Sequence, residues 1–562
     1  MEEAPQPGCG ASLFVAFCPA IYGRSRAEKR SRGAKKTVPG FPHGGRGHPV
    51  FPGAKEDDGG HRLVLRSRSA AFCAAQIDLL SLSRYNGMEM WGTEEVCVRV
   101  SRRRLSRIQG TPPISLCRWP SAVPGKAWEF MYGDLTQGPV MRSMLRFAAP
   151  MILGTLLQQG YNIADTLIVG QFLGPDALAA VGSAFTLMTF LTSVLLGLCM
   201  GSGTLFSIWF GQKDERALKE GIVAAFVLTA ALTLVLTAVA FLCLDGICTF
   251  LQVPAEIWGM MREYLAIIFT GIGAVFLYNY FAALLRAVGN SVVPLLFLAV
   301  SAVLNVALDL WFVLGLGRGV AGAAEATVIA QYLAGAGIAV YTWLRCPNLR
   351  VGRENCRIRW HRIGQLARFS LLTCIQQSVM NLGILLVQGL VNSFGPTVMA
   401  AFAAAVKIDA FAYMPVQDFG NAFSTFIAQN YGAKKEERIR SGLKGAVLAV
   451  LLFCIVLSAA VWILARPLLC MFVDAGETAI LAEGIRYLRI EGTFYCGIGC
   501  LFLLYGLYRA VGKPGISVVL TVLSLGTRVV LAYVLSAVPA FGVAGIWWAV
   551  PIGWLLADAV GL

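Results

Sequence analysis

The sequence has 562 residues, of which 57% are apolar and 14% are charged, and its mean hydropathy is +0.66. A soluble globular protein carries roughly 25% charged residues, so this composition excludes an ordinary soluble protein and favours a chain that crosses a membrane many times. The net charge of +15 is compatible with nucleic-acid binding, but in a membrane protein basic loops explain such a balance better. The cysteines are scattered without metal-ligand spacing and predict no disulfide framework.

Residues 1–130 differ in composition from the rest of the chain, because they are rich in Arg, Ser, Gly and Pro and contain no sustained apolar segment. They also lack the basic start, apolar middle and cleavage site of a signal peptide. One interpretation is a disordered basic tail that lies on anionic lipid. The other, which we favour, is an over-extended reading frame with the native start at Met131, after which a short polar stretch leads into the first helix.

Twelve apolar segments follow, each long enough to span a bilayer as a helix of about 20 residues. The first six lie near 147–172, 178–210, 221–244, 264–285, 292–316 and 320–344, and the second six near 366–392, 397–428, 445–465, 485–508, 515–537 and 541–562. We therefore predict an all-α integral membrane protein with twelve transmembrane helices in two lobes. The N-lobe spans 131–344, a basic linker spans 345–364, and the C-lobe spans 365–562, where the last helix is a candidate for truncation.

The loops between the predicted helices differ in charge. Basic residues follow the even-numbered helices (Lys213, Arg216, Lys219, Arg286, Arg345, Arg350, Lys434, Lys435, Arg438, Arg440, Arg509 and Lys513). The other loops carry acids (Asp176, Asp245, Glu256, Asp474 and Glu477). The positive-inside rule then places both termini in the cytoplasm of a multi-pass protein of the cell membrane.

The two predicted lobes repeat one another at an offset of 221–223 residues. The matching pairs are Arg146-Phe147 with Arg368-Phe369, Gly174-Pro175 with Gly395-Pro396, Arg286-Ala-Val-Gly289 with Arg509-Ala-Val-Gly512, and Gly319-Val-Ala-Gly322 with Gly542-Val-Ala-Gly545. Six helices is an even number, so both lobes have the same orientation in the membrane. Parallel repeats of this kind build transporters whose halves rock around a central site.

The acids Asp165 and Asp309 of the first half have no acidic counterpart in the second: Asp165 is opposite Leu386, Asn305 opposite Arg528, and Asp309 opposite Ala532. Asp165 is also the only charged residue between Phe147 and Leu173. A carboxylate in hydrocarbon is costly and is usually functional. We infer that these acids serve a task that the fold itself does not require.

The chemistry of these residues fits a proton or a small cation. Asn305 and Asp309 are four residues apart and share a helical face, and carboxylate and amide oxygens together hold a proton or a hard cation. A histidine relay is excluded, since all four histidines lie outside the predicted spans (His43, His48, His61 and His361). A packing role for Asp165 and Asp309, bonded to neighbouring hydroxyls, remains the structural alternative.

Several motifs in this order resemble those of the multidrug and toxic compound extrusion (MATE) transporters. They are Tyr161-Asn-Ile-Ala-Asp165 with Gly170, Leu285-Arg-Ala-Val-Gly-Asn290, Asn305-Val-Ala-Leu-Asp309, Gly322-Ala-Ala-Glu-Ala-Thr327 and Gln429-Asn-Tyr-Gly-Ala433. The resemblance covers about 131–562. It implies two six-helix bundles around a cavity, with alternating access driven by H⁺ or Na⁺.

The resemblance also implies where the coupling ion binds. In the DinF-like branch that site lies in the N-lobe, and the matching positions here are Tyr161, Asp165, Asn305, Asp309 and Thr327. The NorM-like branch uses acids of the C-lobe, and the stretch 371–378 of the seventh predicted helix has none, so the N-lobe branch fits better. Pro150 matches a proline at which the first helix bends.

Other polar and aromatic side chains are candidates for the substrate cavity: Gln158, Asn279, Gln376, Tyr413 and Asp418. Glu325 lies near a helix end, where solvation is the default. Asp409 and Lys407 are expected to face different environments near a loop. On this interpretation the C-lobe contains no carboxylate cluster.

The sequence therefore predicts a secondary active antiporter that exports amphipathic, often cationic, organic compounds in exchange for H⁺ or Na⁺. A lipid-linked precursor flippase of the same wider superfamily is the alternative, but it would need a cationic cavity, and the intramembrane charges are mostly acidic. No motif supports an enzyme, and residues 506–514 lack the spacing of an ATP-binding P-loop. We expect a monomer in the bilayer that binds a small organic substrate, with no nucleic acid, no cofactor and no metal other than Na⁺.

Overall fold

The computed structural model describes residues 133–250, 253–352, 355 and 359–562. The predictions for residues 1–130 and for a start at Met131 lie outside these residues, as does part of the basic linker.

The described chain is almost entirely helical. The first half contains α1 (Val140–Phe172), α2 (Pro175–Gln212), α3 (Glu215–Leu242), α4, which is bent between Ala255–Thr270 and Ile272–Ala287, α5 (Val292–Asp309) and α6 (Gly319–Arg345). The second half contains α7 (Trp360–Asn392), α8 (Pro396–Gly432), α9 (Glu436–Leu469), α10, which is bent between Thr478–Thr493 and Tyr495–Ala510, α11 (Pro514–Ser536) and α12 (Val543–Gly561). A short helix Leu244–Phe250 follows α3, and a π-helical turn Leu310–Gly315 follows α5.

These helices have the length and composition of membrane spans. Within the described residues, ten single helices are long and apolar enough to cross a bilayer, and each bent pair adds one further span. Large apolar side chains point outward along them, as Leu234 in α3 and Ile463 in α9 do with 71% and 76% of their surface exposed. Such apolar surfaces are tolerated where lipid covers them. The prediction of an all-α membrane protein with twelve spans is confirmed on this count.

The repeat is visible in the backbone as well as in the sequence. Gly174 and Gly395, with φ of 89° and 96°, precede α2 and α8, and Lys213 and Lys434, with φ of 58° and 57°, lie in the turns that follow the same two helices. Glycine is favoured at the helix starts because it has no Cβ to clash at positive φ. The two halves therefore use the same turns at equivalent positions.

The two halves meet most closely where α2 packs against α7 and α8. Small residues allow this approach: a Cβ added at Gly201 would lie 2.5 Å from the carbonyl oxygen of Phe369, and one at Gly211 would collide with the carbonyl of Gln429. Beside Gly201, the hydroxyls of Ser202 and Ser370 share a hydrogen bond of 2.8 Å. The contact lies toward the ends of α2 and α8 from which the basic loops emerge.

Residues 133–139, here called the N-terminal strap, close the same end of the molecule. The backbone N–H of Leu135 donates to Oε1 of Gln429 at 3.1 Å, and Asn430 donates to the carbonyl of Leu135 at 3.2 Å. Arg438 donates to the carbonyl of Gly138 at 2.7 Å. The strap precedes α1 in the first half but is held by α8 and α9 of the second half, so it links the two halves.

Candidate functional site

A cavity of about 560 Å³ lies between the two halves. Ligand pockets of roughly 300–1,000 Å³ accommodate drug-sized molecules, so its volume suits one small organic compound. Its walls combine apolar residues with polar and charged ones. The polar and charged lining includes Thr155, Gln158, Gln159, Tyr161, Asn162, Asp165, Tyr278, Asn279, Arg286, Thr327, Gln377, Asn381, Tyr413, Gln417, Asp418, Asn421 and Arg509.

Two carboxylates lie close together on the first-half side of this cavity. Asp165 in α1 lines the cavity, and its Oδ1 is buried without a hydrogen-bond partner. Asp309 at the end of α5 has 0% of its surface exposed, and both of its carboxylate oxygens lack a partner. The two side chains are near enough for their charges to interact. Buried polar atoms without partners are rare in proteins, so this pair requires an explanation.

The other predicted ion-site residues adjoin these carboxylates. Tyr161 lies next to Asp165 and Gln158. Asn305, one helical turn before Asp309, donates through Nδ2 to the hydroxyl of Thr327 at 3.2 Å, which leaves its own Oδ1 without a partner. Since the unsatisfied atoms of Asp165, Asn305 and Asp309 are oxygens, the cluster can hold a proton or a hard cation.

Tyr264 belongs to the same cluster, although the sequence analysis did not select it. It lies in the first part of α4, is buried, and is close enough to Asp165, Asp309 and Tyr161 for electrostatic interaction. A single tyrosine in an apolar helix carries no signal that separates it from a packing residue. Only the bend of α4 and its packing against the other helices place it here.

Four of the five substrate-cavity candidates line the cavity: Gln158, Asn279, Tyr413 and Asp418. Gln376 does not, because only 2% of its surface is exposed and it is absent from the lining, whereas its neighbour Gln377 is present. Successive residues of a helix are separated by 100° around its axis. The prediction for Gln376 therefore selected the wrong member of the pair.

Arg286 and Arg509 line the same cavity and were assigned to loops in the sequence analysis. In the structure they lie inside the second parts of α4 and α10, one residue before each helix ends. The lining thus contains two arginines beside Asp165 and Asp418, so the cavity wall itself carries charges of both signs. The available signal was the RAVG repeat, which places an arginine at equivalent positions of the two halves.

The second half contains a buried acid cluster of its own. Asp409 in α8 accepts a hydrogen bond of 2.6 Å from the hydroxyl of Tyr495, and it also contacts Glu491, which is bonded to Tyr487. Arg528 of α11 is near enough to interact with both carboxylates. Two expectations are therefore corrected, namely that Asp409 lies near a loop and that the C-lobe has no carboxylate cluster.

Two other positions from the sequence analysis, Glu325 and Pro150, do not line the cavity. Glu325 forms an ion pair of 2.5 Å with Arg318 near the start of α6 and is not part of the cavity lining. Pro150 lies inside α1, which continues as a helix on both sides of it.

The amino-acid sequence is similar to one protein-family model and to several curated proteins. The MatE family model matches residues 150–311 and 372–534. The chain is 29% identical over 380 residues to the "Probable multidrug resistance protein YpnP" of Bacillus subtilis, covering 67% of this chain and 84% of that protein. It is 22% identical over 422 residues to the "Multidrug export protein MepA" of Staphylococcus aureus, covering 74% of this chain and 91% of that protein.

Several solved structures have a fold similar to that of this chain. "Crystal structure of MATE in complex with MaL6" matches with a TM-score of 0.72 at 22% identity, covering 77% of this chain and 96% of that one. "Outward-facing conformation of a multidrug resistance MATE family transporter of the MOP superfamily" matches with the same TM-score and identity, covering 77% and 95%. At this identity the likeness concerns the fold.

Proposed function

The chain belongs to the MatE family, a family of transporters and not of enzymes, and from that premise we propose that it is an ion-coupled exporter. Its named relatives are multidrug resistance and export proteins, which supports drug efflux. The finer proposal is a secondary active antiporter. It would move amphipathic organic compounds out of the cell by alternating access in exchange for H⁺ or Na⁺.

The observation that carries the coupling proposal is the state of Asp309. Its carboxylate is fully buried, both oxygens lack a partner, and Asp165 is nearby. No basic side chain of the described residues lies within ion-pair distance of either acid. A buried charge without a partner is costly, so the cluster gains stability when a proton or a small cation binds. We propose coupling in the N-lobe, as in the DinF-like branch.

The second-half cluster serves as an internal comparison. Asp409 and Glu491 have Tyr495 and Tyr487 as hydrogen-bonding neighbours, and the charge of Arg528 interacts with both carboxylates without forming an ion pair, although Oε1 of Glu491 has no partner. Asp165 and Asp309 have no comparable cation. This difference favours the N-lobe acids as the pair that must exchange an ion during transport.

The available driving force is sufficient for export. A membrane potential of about 100 mV supplies roughly 2.3 kcal/mol per charge, and one unit of pH gradient supplies about 1.36 kcal/mol. Together these sustain a gradient of a neutral substrate on the order of a few hundred-fold per proton. One ion per substrate is therefore enough for efflux.

The basic loops support a position in the cell membrane with both termini in the cytoplasm. With that orientation, the strap and the contact of α2 with α7 and α8 close the cavity toward the cytoplasm. The cavity that binds the substrate would then open toward the outside of the cell. We further propose that the transporter acts as a monomer.

The test uses Asp165→Asn, Asp309→Asn and the double variant in proteoliposomes, with substrate-induced release of H⁺ or Na⁺ as the readout. Asparagine is nearly isosteric and neutral, so it imitates a loaded carboxylate. We expect each variant to lose coupled release and to keep substrate binding, and the double variant to be no worse than either single one because the pair titrates as a unit. Asp176→Asn, an exposed residue at the start of α2, is the matched control. Normal coupled release in Asp165→Asn would assign that aspartate to packing.

One observation favours the flippase alternative: two arginines, Arg286 and Arg509, line the cavity. Asp165 and Asp418 in the same lining oppose a substrate that carries a pyrophosphate, so the antiporter remains the better interpretation. A fluorescent polyprenyl diphosphate that crosses the bilayer of proteoliposomes only when the protein is present would favour the flippase instead.

A further inference from the structure

We propose that Arg286 determines specificity in the cavity, because its guanidinium binds the carboxylate of a zwitterionic amphiphile. This inference rests on the proposed function, since it concerns the substrate cavity of an exporter. It assigns the residue that would select for a carboxylate, because a cavity for purely cationic compounds would have no use for an unpaired arginine in its wall.

The first step compares Arg286 with its counterpart in the other half. Arg509 occupies the equivalent position, with only 4% of its surface exposed. Its Nη2 donates to Oδ1 of Asn421 at 3.0 Å, and its Nε donates to the hydroxyl of Ser424 at 3.4 Å. Both partners lie in α8, so Arg509 is held by its own half and its charge is solvated by fixed dipoles.

The second step applies the repeat to the partners. At the offset of 221 residues that relates α2 to α8, Asn421 and Ser424 correspond to Met200 and Gly203. Both residues line the cavity, and neither side chain can accept a hydrogen bond from a guanidinium as an amide or hydroxyl does. The first half therefore keeps the arginine and lacks the groups that hold it.

The third step concerns what surrounds Arg286 in the structure. Its Nε is buried and has no hydrogen-bond partner. In the part of the chain that the structure describes, no carboxylate oxygen lies within ion-pair distance of its guanidinium. Buried cations are normally paired. An arginine in a cavity wall with unused donors is suited to a planar anion such as a carboxylate, which it can bind through two hydrogen bonds.

The fourth step explains why a zwitterion fits better than a simple anion. Asp418 of α8 lines the same cavity, near enough to interact with Arg286 but not paired with it, and its Oδ2 lacks a partner. The cavity therefore presents a cation from one half and a carboxylate from the other. Tyr278 and Tyr413 add aromatic faces that favour a cationic group. A compound with both charges would satisfy both walls.

The experiment measures equilibrium binding by fluorescence polarisation to the purified full-length protein in lipid nanodiscs, without any ion gradient. The probes are a rhodamine dye with a free benzoate, which is a zwitterion, and the methyl ester of the same dye, which is a cation. We expect the wild-type protein to prefer the zwitterion. Arg286→Gln should raise the Kd of the zwitterion by roughly 10- to 100-fold, the range for hydrogen bonds to charged groups, and should change the Kd of the ester little.

Two further variants make the outcome specific. Arg286→Lys keeps the charge without the planar donor pair, and we expect it to retain part of the preference for the zwitterion. Arg509→Gln removes the equivalent arginine, which is held by Asn421 and Ser424, and we expect it to change the affinities for both dyes by the same factor.

The proposal is overturned if the wild-type protein prefers the ester, or if Arg286→Gln weakens both dyes equally. Because no gradient is used, the dye preference does not depend on ion coupling. Failure of the coupling test with Asp309→Asn and failure of the dye test are thus separate results.

Discussion

Tyr495 donates a hydrogen bond of 2.6 Å from its hydroxyl to Asp409, and the two residues are 86 positions apart in the chain. This bond belongs to a buried network in the second half that also includes Glu491 and Arg528. Asp165 and Asp309 of the first half have no such partners. The two halves share a fold and a set of turns but treat their buried acids differently, and this difference yields the first prediction.

Asp409→Asn should preserve substrate-induced ion release in proteoliposomes, while Asp165→Asn abolishes it. The asparagine weakens the bond from Tyr495, so we expect the free energy of unfolding to fall by about 1–3 kcal/mol. Thermal unfolding in detergent measures this loss, and Tyr495→Phe, which removes the donor and keeps the ring, should reproduce it. Loss of coupled release in a well-folded Asp409→Asn protein would bring the C-lobe acids into the coupling mechanism.

Asp418→Asn should alter substrate preference more than coupling. Asp418 lines the cavity and contacts Thr155 and Asn421, whereas the acid pair without a counterion lies in the first half. Efflux of a cationic dye and of a neutral dye, compared in the same vesicles, should fall for the cation and change little for the neutral compound. An equal loss for both dyes, with ion release also gone, would contradict this division.

Thr327→Val should weaken binding of the coupling ion. The hydroxyl of Thr327 accepts the 3.2 Å hydrogen bond from Nδ2 of Asn305 and thereby fixes the orientation of the amide, whose Oδ1 has no partner. Valine has nearly the same shape, so the change removes about 1 kcal/mol, equivalent to roughly a fivefold loss of ion affinity. The concentration of Na⁺ or H⁺ that half-saturates transport measures it. Thr327→Ser, which keeps the hydroxyl, should behave as wild type, and a normal half-saturation in Thr327→Val would remove this residue from the site.

Gly211→Ala should hinder closure at the end of the molecule where the strap lies. An added Cβ would collide with the carbonyl of Gln429, and overpacking of this kind costs about 1–3 kcal/mol. We expect Leu135→Cys, which is buried in the closed arrangement, to react faster with a polar thiol reagent when combined with Gly211→Ala. Gly182→Ala in the same helix, where a Cβ meets nothing within 4 Å, is the control. Equal labelling rates in the two backgrounds would show that the contact does not restrain opening.

Deletion of residues 1–130 should leave insertion and transport intact, because the repeat and the strap both lie beyond them. Deletion of residues 1–139 should lower thermal stability, since it removes the strap that Gln429, Asn430 and Arg438 hold. The shorter deletion begins at Met131 and the longer one carries an added methionine before Val140; both proteins are compared for yield, unfolding temperature and dye efflux. If the shorter deletion already abolishes insertion, the preference for a native start at Met131 is wrong.

The sequence alone predicted the class of fold and the twelve spans, because a bilayer leaves the chain little choice. In hydrocarbon every backbone polar group must be bonded within its own segment, so apolar stretches of sufficient length become helices whatever surrounds them. The repeat was readable for a related reason, since equivalent turns such as those at Gly174 and Gly395 need the same residue types. The isolated acids Asp165 and Asp309 were conspicuous because charge is rare in such segments.

Only the tertiary structure decided which side chains share a cavity, because that depends on the rotation of each helix about its axis and on contacts between distant residues. Gln376 and Gln377 are adjacent in sequence, yet only the second lines the cavity. Tyr264 reaches the acid pair through the packing of α4, and Asp409 meets Tyr495 across 86 residues. Arg286 looked like a loop residue because hydropathy falls before a helix ends, and its missing partners became visible only by comparison with Arg509, which is bonded to Asn421 and Ser424.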